Sequence, residues 1–118
     1  MSRDPGRPDA KRLADMLQSL RRVREITDRR KEAFLADPTA QEAVAFHLMA
    51  LGEAAERLSK RTKNRNPAVP WRLLSDLRWR FAHAYFETDL SATWVLVHRD
   101  LVGIERQLKN VRPAQDPD

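Results

Sequence analysis

The chain of 118 residues carries 22 Lys/Arg against 17 Asp/Glu, a net charge of +5, with 42% hydrophobic residues and no cysteine. That length and mixture suit one domain with a single core, and they exclude a disulfide framework, a thiolate metal site and a cysteine nucleophile. Only 3 glycines are present and none falls in a G-x-G-x-x-G or G-K-[ST] pattern, so no phosphate-cradling loop is expected.

The N-terminus, MSRDPGRPDAKR, lacks the apolar core of a signal peptide, and no run approaches a membrane span, so the expected compartment is the cytoplasm. The predicted elements are all helical, because nothing alternates with period two over a useful length. Leu13, Met16, Leu17, Leu20 and Val23 form the first stripe, with Asp9 as the expected N-cap. A short helical turn is predicted over KEAFLAD, ending before Pro38. Val44, Leu48, Leu51, Ala55 and Leu58 then repeat at steps of four and three. The segment RTKNRNPAVP reads as the one clear loop between long helices. Beyond it, Pro70 suits a first helical position, and Leu74, Leu77 and Phe81 continue the pattern. The last helix is the most regular: Leu90, Trp94, Val97, Leu101, Ile104, Leu108 and Val111 make the seam of a left-handed bundle crossing at about 20°. The fold expected is an all-α, antiparallel four-to-five-helix up-and-down bundle, one domain over 1–118, with 1–9 and 113–118 as loose tails.

Charge is unevenly placed. Residues 1–65 hold 15 Lys/Arg against 10 Asp/Glu, and residues 66–118 hold 7 against 7. A basic half suits a polyanionic partner such as RNA. The plainer explanation is that arginine, 17 of the 22 cations, is the preferred surface charge. The densest run is RLSKRTKNR, residues 57–65, with five cations and no acid. It reads equally as a guide for an RNA backbone or as a solvated helix end.

Chemistry concentrates in RWRFAHAYF, residues 78–86. Cleaving RNA without a metal requires a base for the 2′-hydroxyl, a cation for the phosphate and a group that orients sugar or base. His83, Arg78 and Tyr85 match those needs in turn. On an ideal helix Arg78 and His83 stand about 140° apart and do not share a face. Either the helix bends or ends near His83, or a second copy supplies half the site across a two-fold axis. Arg80 is a second phosphate contact or a solvated cation. Gly52 in mid-helix costs about 1 kcal/mol relative to Ala, which points to close helix approach, and it places Glu53 as a candidate support for Arg78. His47 and His98 flank apolar stripes and read as structural. No two histidines share metal-ligand spacing, so neither a metal nor a cofactor is expected.

Arg78-x-x-x-x-His83-x-Tyr85 resembles the R-x-x-x-x-H-x-Y motif of HepT-like proteins, a branch of the HEPN superfamily of small all-helical ribonucleases. LGEAAERLS at 51–59 resembles the Gly-Glu-Ala segment of that family's preceding long helix, and Pro70-Trp71 resembles its approach to the motif helix. The resemblance spans roughly residues 10–110 in order. It implies a metal-independent endoribonuclease toxin of a bacterial toxin–antitoxin pair. The implied partner is a minimal nucleotidyltransferase that silences the toxin by transferring AMP to the motif tyrosine, here Tyr85. It also implies a homodimer whose two motifs face a shared cleft. The sequence departs from the family at Trp79, where a polar residue, often Asn, commonly follows the motif arginine. Trp79 instead offers a stacking face for substrate. The alternative expectation is a catalytically inactive module of the same fold that partners a nucleotidyltransferase or binds RNA without cutting it.

Overall fold

A computed structural model describes residues 8–114. Helix α1 (Asp9–Ile26), helix α3 (Pro38–Arg57) and helix α5 (Trp71–His83) form the body of the bundle. Helix α3 is central: α1 packs along one side of it and α5 along the other. The single-turn helices α2 (Lys31–Leu35) and α4 (Lys60–Arg65) make the two junctions with α3. The fourth arm runs through α6 (Leu90–Val95), a π-helical turn over Leu96–Asp100 and α7 (Leu101–Lys109), which packs back on α1. No strand occurs among the described residues, and the all-α bundle is the fold expected.

The stripes read from sequence are the core. Met16, Leu48, Leu51, Leu74 and Leu77 are fully buried, with Phe34 closing the α2 corner. At about 1.5–3 kcal/mol for each such side chain taken from water, this stripe outweighs any single polar contact in the molecule. Pro38 opens α3 at a position where a missing N–H costs nothing, and the Asp37 side chain caps the Ala40 N–H.

Three local expectations change. The loop predicted at RTKNRNPAVP begins as helix α4, because Ser59 caps Thr62 and Thr62 is itself fully buried. Asp9 is not the cap of α1. It is the first residue of that helix, and its carboxylate accepts from the Ser59 hydroxyl at 2.6 Å and the Thr62 hydroxyl at 2.5 Å. Burial alone would raise the Asp9 pKa, but the hydrogen bonds from Ser59 and Thr62 outweigh it and hold the carboxyl below its ordinary value. The last helix is not one uniform ladder. Leu96 and Val97 are both buried, which a strict seam of alternating threes and fours does not provide for, and the backbone accommodates the adjacent pair with a π turn.

Of the tails expected at 1–9 and 113–118, residues 1–7 and 115–118 lie outside the described residues. Asp9 is helical, and the Ala114 N–H donates to the Thr62 hydroxyl at 2.9 Å. Among the described residues no helix is long and apolar enough to cross a membrane.

Candidate active site

Helix α5 buries Leu74, Leu77 and Phe81 against α3 and leaves Arg78, Trp79, Arg80 and His83 on its exposed sides. It ends at His83: the next residue, Ala84, leaves helical geometry, and a short 3₁₀ turn covers Tyr85–Glu87. His83 therefore sits in the final turn of the helix.

Helices α3 and α5 approach closely at Gly52. A Cβ there would lie 2.5 Å from the Arg78 backbone nitrogen and 2.7 Å from the Leu74 carbonyl oxygen, distances no side chain tolerates. Only glycine lets α5 lie this close to α3. The next residue, Glu53, consequently forms an ion pair with Arg78 and a second one with Arg57 one turn along α3. The hydrogen bond from Arg57, joined by the positive charges of Arg57 and Arg78, holds the Glu53 carboxyl below its ordinary pKa despite partial burial. The Arg78 guanidinium is thus anchored at its Nε atom, and its side chain remains half exposed.

His83 is oriented by its own helix. Its Nδ1 lies 3.1 Å from the Trp79 carbonyl oxygen. A carbonyl only accepts, so Nδ1 carries the proton and Nε2 is the basic nitrogen of the neutral ring. The Trp79 indole stacks on the imidazole, with ring centroids 5.4 Å apart and planes 28° from parallel. That indole is 60% exposed, unusual for the largest apolar side chain.

Arg80 is exposed and borders a concavity lined by Thr88, Asp89 and Thr93. Tyr85 is half-buried against the core and lines a groove with Phe46, Met49, Phe81 and Glu42. The structure thus gathers Trp79 with His83 and Glu53 with Arg78, while no bond joins Arg78 to His83 within one chain. Of the two arrangements considered for that pair, the helix does end at His83. The second partner of Glu53, Arg57, is the one its i, i+4 spacing predicts.

The other histidines lie apart from this cluster. His47 is half-buried edge-on to Phe46, and burial, with the Arg22 charge, lowers its pKa. His98 rests on Trp94. Among the described residues no group of three His, Asp or Glu side chains is placed to hold a metal ion.

A sequence model described as "Ribonuclease HepT-like" matches residues 16–111. A "Probable ribonuclease HepT" of Thermococcus cleftensis is 30% identical over 101 residues, covering 85% of this chain and 92% of that protein. A "Putative RNase" of Methanocaldococcus jannaschii is 31% identical over 104 residues, 84% of this chain and 86% of the relative. Another "Putative RNase", from Caldanaerobacter subterraneus, is 28% identical over 80 residues, 68% of this chain and 71% of its own length. No solved structure gives a significant match.

Proposed function

The chain belongs to the HepT-like ribonuclease family, and from that premise we propose that it cleaves RNA without a metal, with His83 as acid/base and Arg78 as the phosphate-binding cation. The observation that carries this reading is the orientation of His83: Nδ1 is held on the Trp79 carbonyl, which leaves Nε2 as the basic atom at an exposed helix end. Nε2 takes the proton from an RNA 2′-hydroxyl, and that oxygen attacks the adjacent phosphorus. The bond from phosphorus to the 5′-oxygen breaks, and the leaving oxygen takes up a proton. The products are a 2′,3′-cyclic phosphate and a 5′-hydroxyl. Arg78, fixed at Nε by Glu53, turns its terminal nitrogens toward the charge that builds on the phosphate oxygens. Arg80 is a second phosphate contact, and Trp79 and Tyr85 contact sugar or base. The test is product analysis. Cyclic phosphate ends formed in EDTA are expected, whereas activity abolished by EDTA and restored by Mg²⁺ overturns the mechanism.

Because Arg78 and His83 make no contact within one chain, the complete site is assigned to a homodimer with two motifs at one cleft. The exposed large apolar side chains Phe46 on α3 and Leu73 and Trp79 on α5 support a partner for these helices. Sedimentation should give near twice 13.7 kDa, and a clean monomer removes the shared cleft.

The control proposed is that of a toxin paired with a minimal nucleotidyltransferase antitoxin. The Tyr85 oxygen attacks the α-phosphorus of ATP, pyrophosphate leaves and AMP remains on the ring. The added phosphodiester then competes for the same arginines. Intact-mass measurement after co-expression checks it: AMP increments should map to the Tyr85 peptide and vanish in Tyr85→Phe, and a label elsewhere overturns it. A second reading, an inactive module of the same fold that binds a nucleotidyltransferase or RNA, is favoured by one observation: the Trp79 indole covers one face of His83.

A further inference from the structure

Some exposed cations of this molecule are tied to carboxylates: Arg24, Arg29 and Arg99 to Glu105, Asp37 and Asp100. Others form no ion pair among the described residues: Lys11, Arg21, Arg72, Arg80, Arg106 and Arg112, spread along the rest of the chain, and Lys60, Arg61 and Arg65, gathered on the six-residue helix α4.

A six-residue helix has little stability of its own, so something must hold α4 in place. The Asp9 carboxylate accepts from the Ser59 N–H, the Ser59 hydroxyl and the Thr62 hydroxyl, and Thr62 in turn accepts from the Ala114 N–H. Asn66 bonds the Thr62 carbonyl at 2.8 Å, and its own carbonyl accepts from the Trp71 indole at 2.9 Å. The buried side of α4 is therefore fastened to α1, to the C-terminal segment and to the start of α5. Its outward side carries only cations and Asn64. A helix fastened this thoroughly beneath, with no carboxylate among the described residues paired to its charges above, suits an anionic partner.

The surface continues toward the candidate active site. Lys63 Nζ lies 3.3 Å from the Glu56 carbonyl, against the end of α3. Arg57 follows on α3, then Glu53, then Arg78. One helical turn, about 5.4 Å, separates Glu53 from Arg57. Glu53, Arg57 and the end of α3 thus link Arg78 to α4.

We propose that α4 is a backbone-binding track for the RNA strand, with Lys60, Arg61 and Arg65 holding phosphates beyond the one gripped by Arg78. This rests on the reading of the chain as an enzyme of RNA. Track contacts go to phosphate, so they add affinity for long strands without adding sequence preference.

The test measures binding of a labelled single strand of roughly 20 nucleotides to full-length protein carrying His83→Ala, so that nothing is cut. One variant replaces Lys60, Arg61 and Arg65 by Gln, leaving Asp9, Ser59 and Thr62 intact. The control replaces Arg21, Arg30 and Lys31 by Gln, an equal loss of charge on α1 and the α2 corner, away from α4. The α4 variant should bind at least about tenfold more weakly near 0.1 M salt, with the log–log salt slope flattened by about 2, since each lost single-strand contact accounts for about 0.7. The control should change binding by less than about threefold. Equal losses from both variants would mean that only net charge matters and would overturn the track, as would an α4 variant that binds normally. Unchanged RNA affinity with loss of nucleotidyltransferase binding would overturn it too and assign the surface to a protein. Because the readout is binding, a wild-type protein that cuts no RNA would sink the nuclease reading and still leave the track tested.

Discussion

The molecule contains the same small arrangement twice. Trp79 and His83 on α5, and Trp94 on α6 with His98 in the π turn, each place an imidazole four residues after an indole. Nδ1 approaches the tryptophan carbonyl at 3.1 Å in the first and 3.0 Å in the second, and the rings stack at 5.4 Å and 3.9 Å. Both histidines are exposed and both have Nε2 as the basic atom. What differs is the neighbourhood. Trp94 is half-buried and packs on Phe34 at 5.5 Å, and the cation beside His98, Arg99, is tied to Asp100. Trp79 is largely exposed, and its flanking arginines are an anchored Arg78 and an Arg80 with no carboxylate partner among the described residues. An oriented imidazole is thus a local consequence of helix geometry. It becomes a candidate catalyst only where cations with open hydrogen-bonding positions stand beside it.

The sharpest way to break this comparison is to remove the first imidazole. His83→Ala should lower RNA cleavage by about 10²–10⁴-fold, the usual worth of a positioned acid/base, with melting temperature nearly unchanged because the side chain is exposed. Initial-rate assays with thermal denaturation measure both. Full activity in this variant would end the assignment of His83.

The next largest effect should come from the anchor. Glu53→Gln keeps the shape but removes the charge that holds Arg78, so a loss of about 10–10²-fold in kcat is expected from a misplaced guanidinium. Glu105→Gln breaks the Arg24 pair on the other arm and should leave cleavage unchanged. The comparison fails if the two variants lose activity equally.

Much of this was legible in the sequence, and the reasons differ by residue. The stripes on α1, α3 and α5 were readable because apolar burial repeats with the helix period and nothing local competes with it. Gly52 was readable because a mid-helix glycine needs a reason, and the approach of Arg78 and Leu74 supplies it. Helix α4 was not, since KRTKNR has no apolar stripe and its folding depends on Asp9, fifty residues before Ser59. The π turn was hidden because heptad spacing records which side chains face inward, not how the backbone hydrogen bonds step between them. Pairs four apart in sequence, Trp79 with His83 and Glu53 with Arg57, lie within reach of inspection. Glu53 with Arg78 depends on which helices become neighbours.

The two internal glycines allow a smaller test of the same contrast. Gly52→Ala should destabilise by about 1–3 kcal/mol, because overpacking between α3 and α5 exceeds the gain in helix propensity of about 1 kcal/mol. It should also displace Arg78 and lower cleavage beyond the loss of folded protein. At Gly103 on α7 a Cβ would meet nothing within 4 Å beyond its chain neighbours and its own helix backbone among the described residues. Gly103→Ala should therefore stabilise by about 0.4–1 kcal/mol with activity intact. Urea denaturation resolves both, and a stabilised Gly52→Ala would show that the helices separate without cost.

The smallest effect should come from the second imidazole, and its smallness is informative. His98 matches His83 in tautomer, exposure and stacking, so a mechanism that needed only an oriented imidazole would treat them alike. Its neighbouring arginines are engaged through terminal nitrogens, Arg99 by Asp100 and Arg24, which borders the same small cavity, by Glu105, whereas Arg78 is held at Nε. His98→Ala should cost about 0.5–1 kcal/mol of stability from lost contact with Trp94. Cleavage should stay within about threefold of wild type, a change in barrier below about 1 kcal/mol. The measurement is kcat/KM beside the denaturation midpoint for His98→Ala and His83→Ala under one set of conditions. A hundredfold loss in His98→Ala at unchanged stability would place the chemistry on the wrong arm and dissolve the distinction drawn from the surrounding charges.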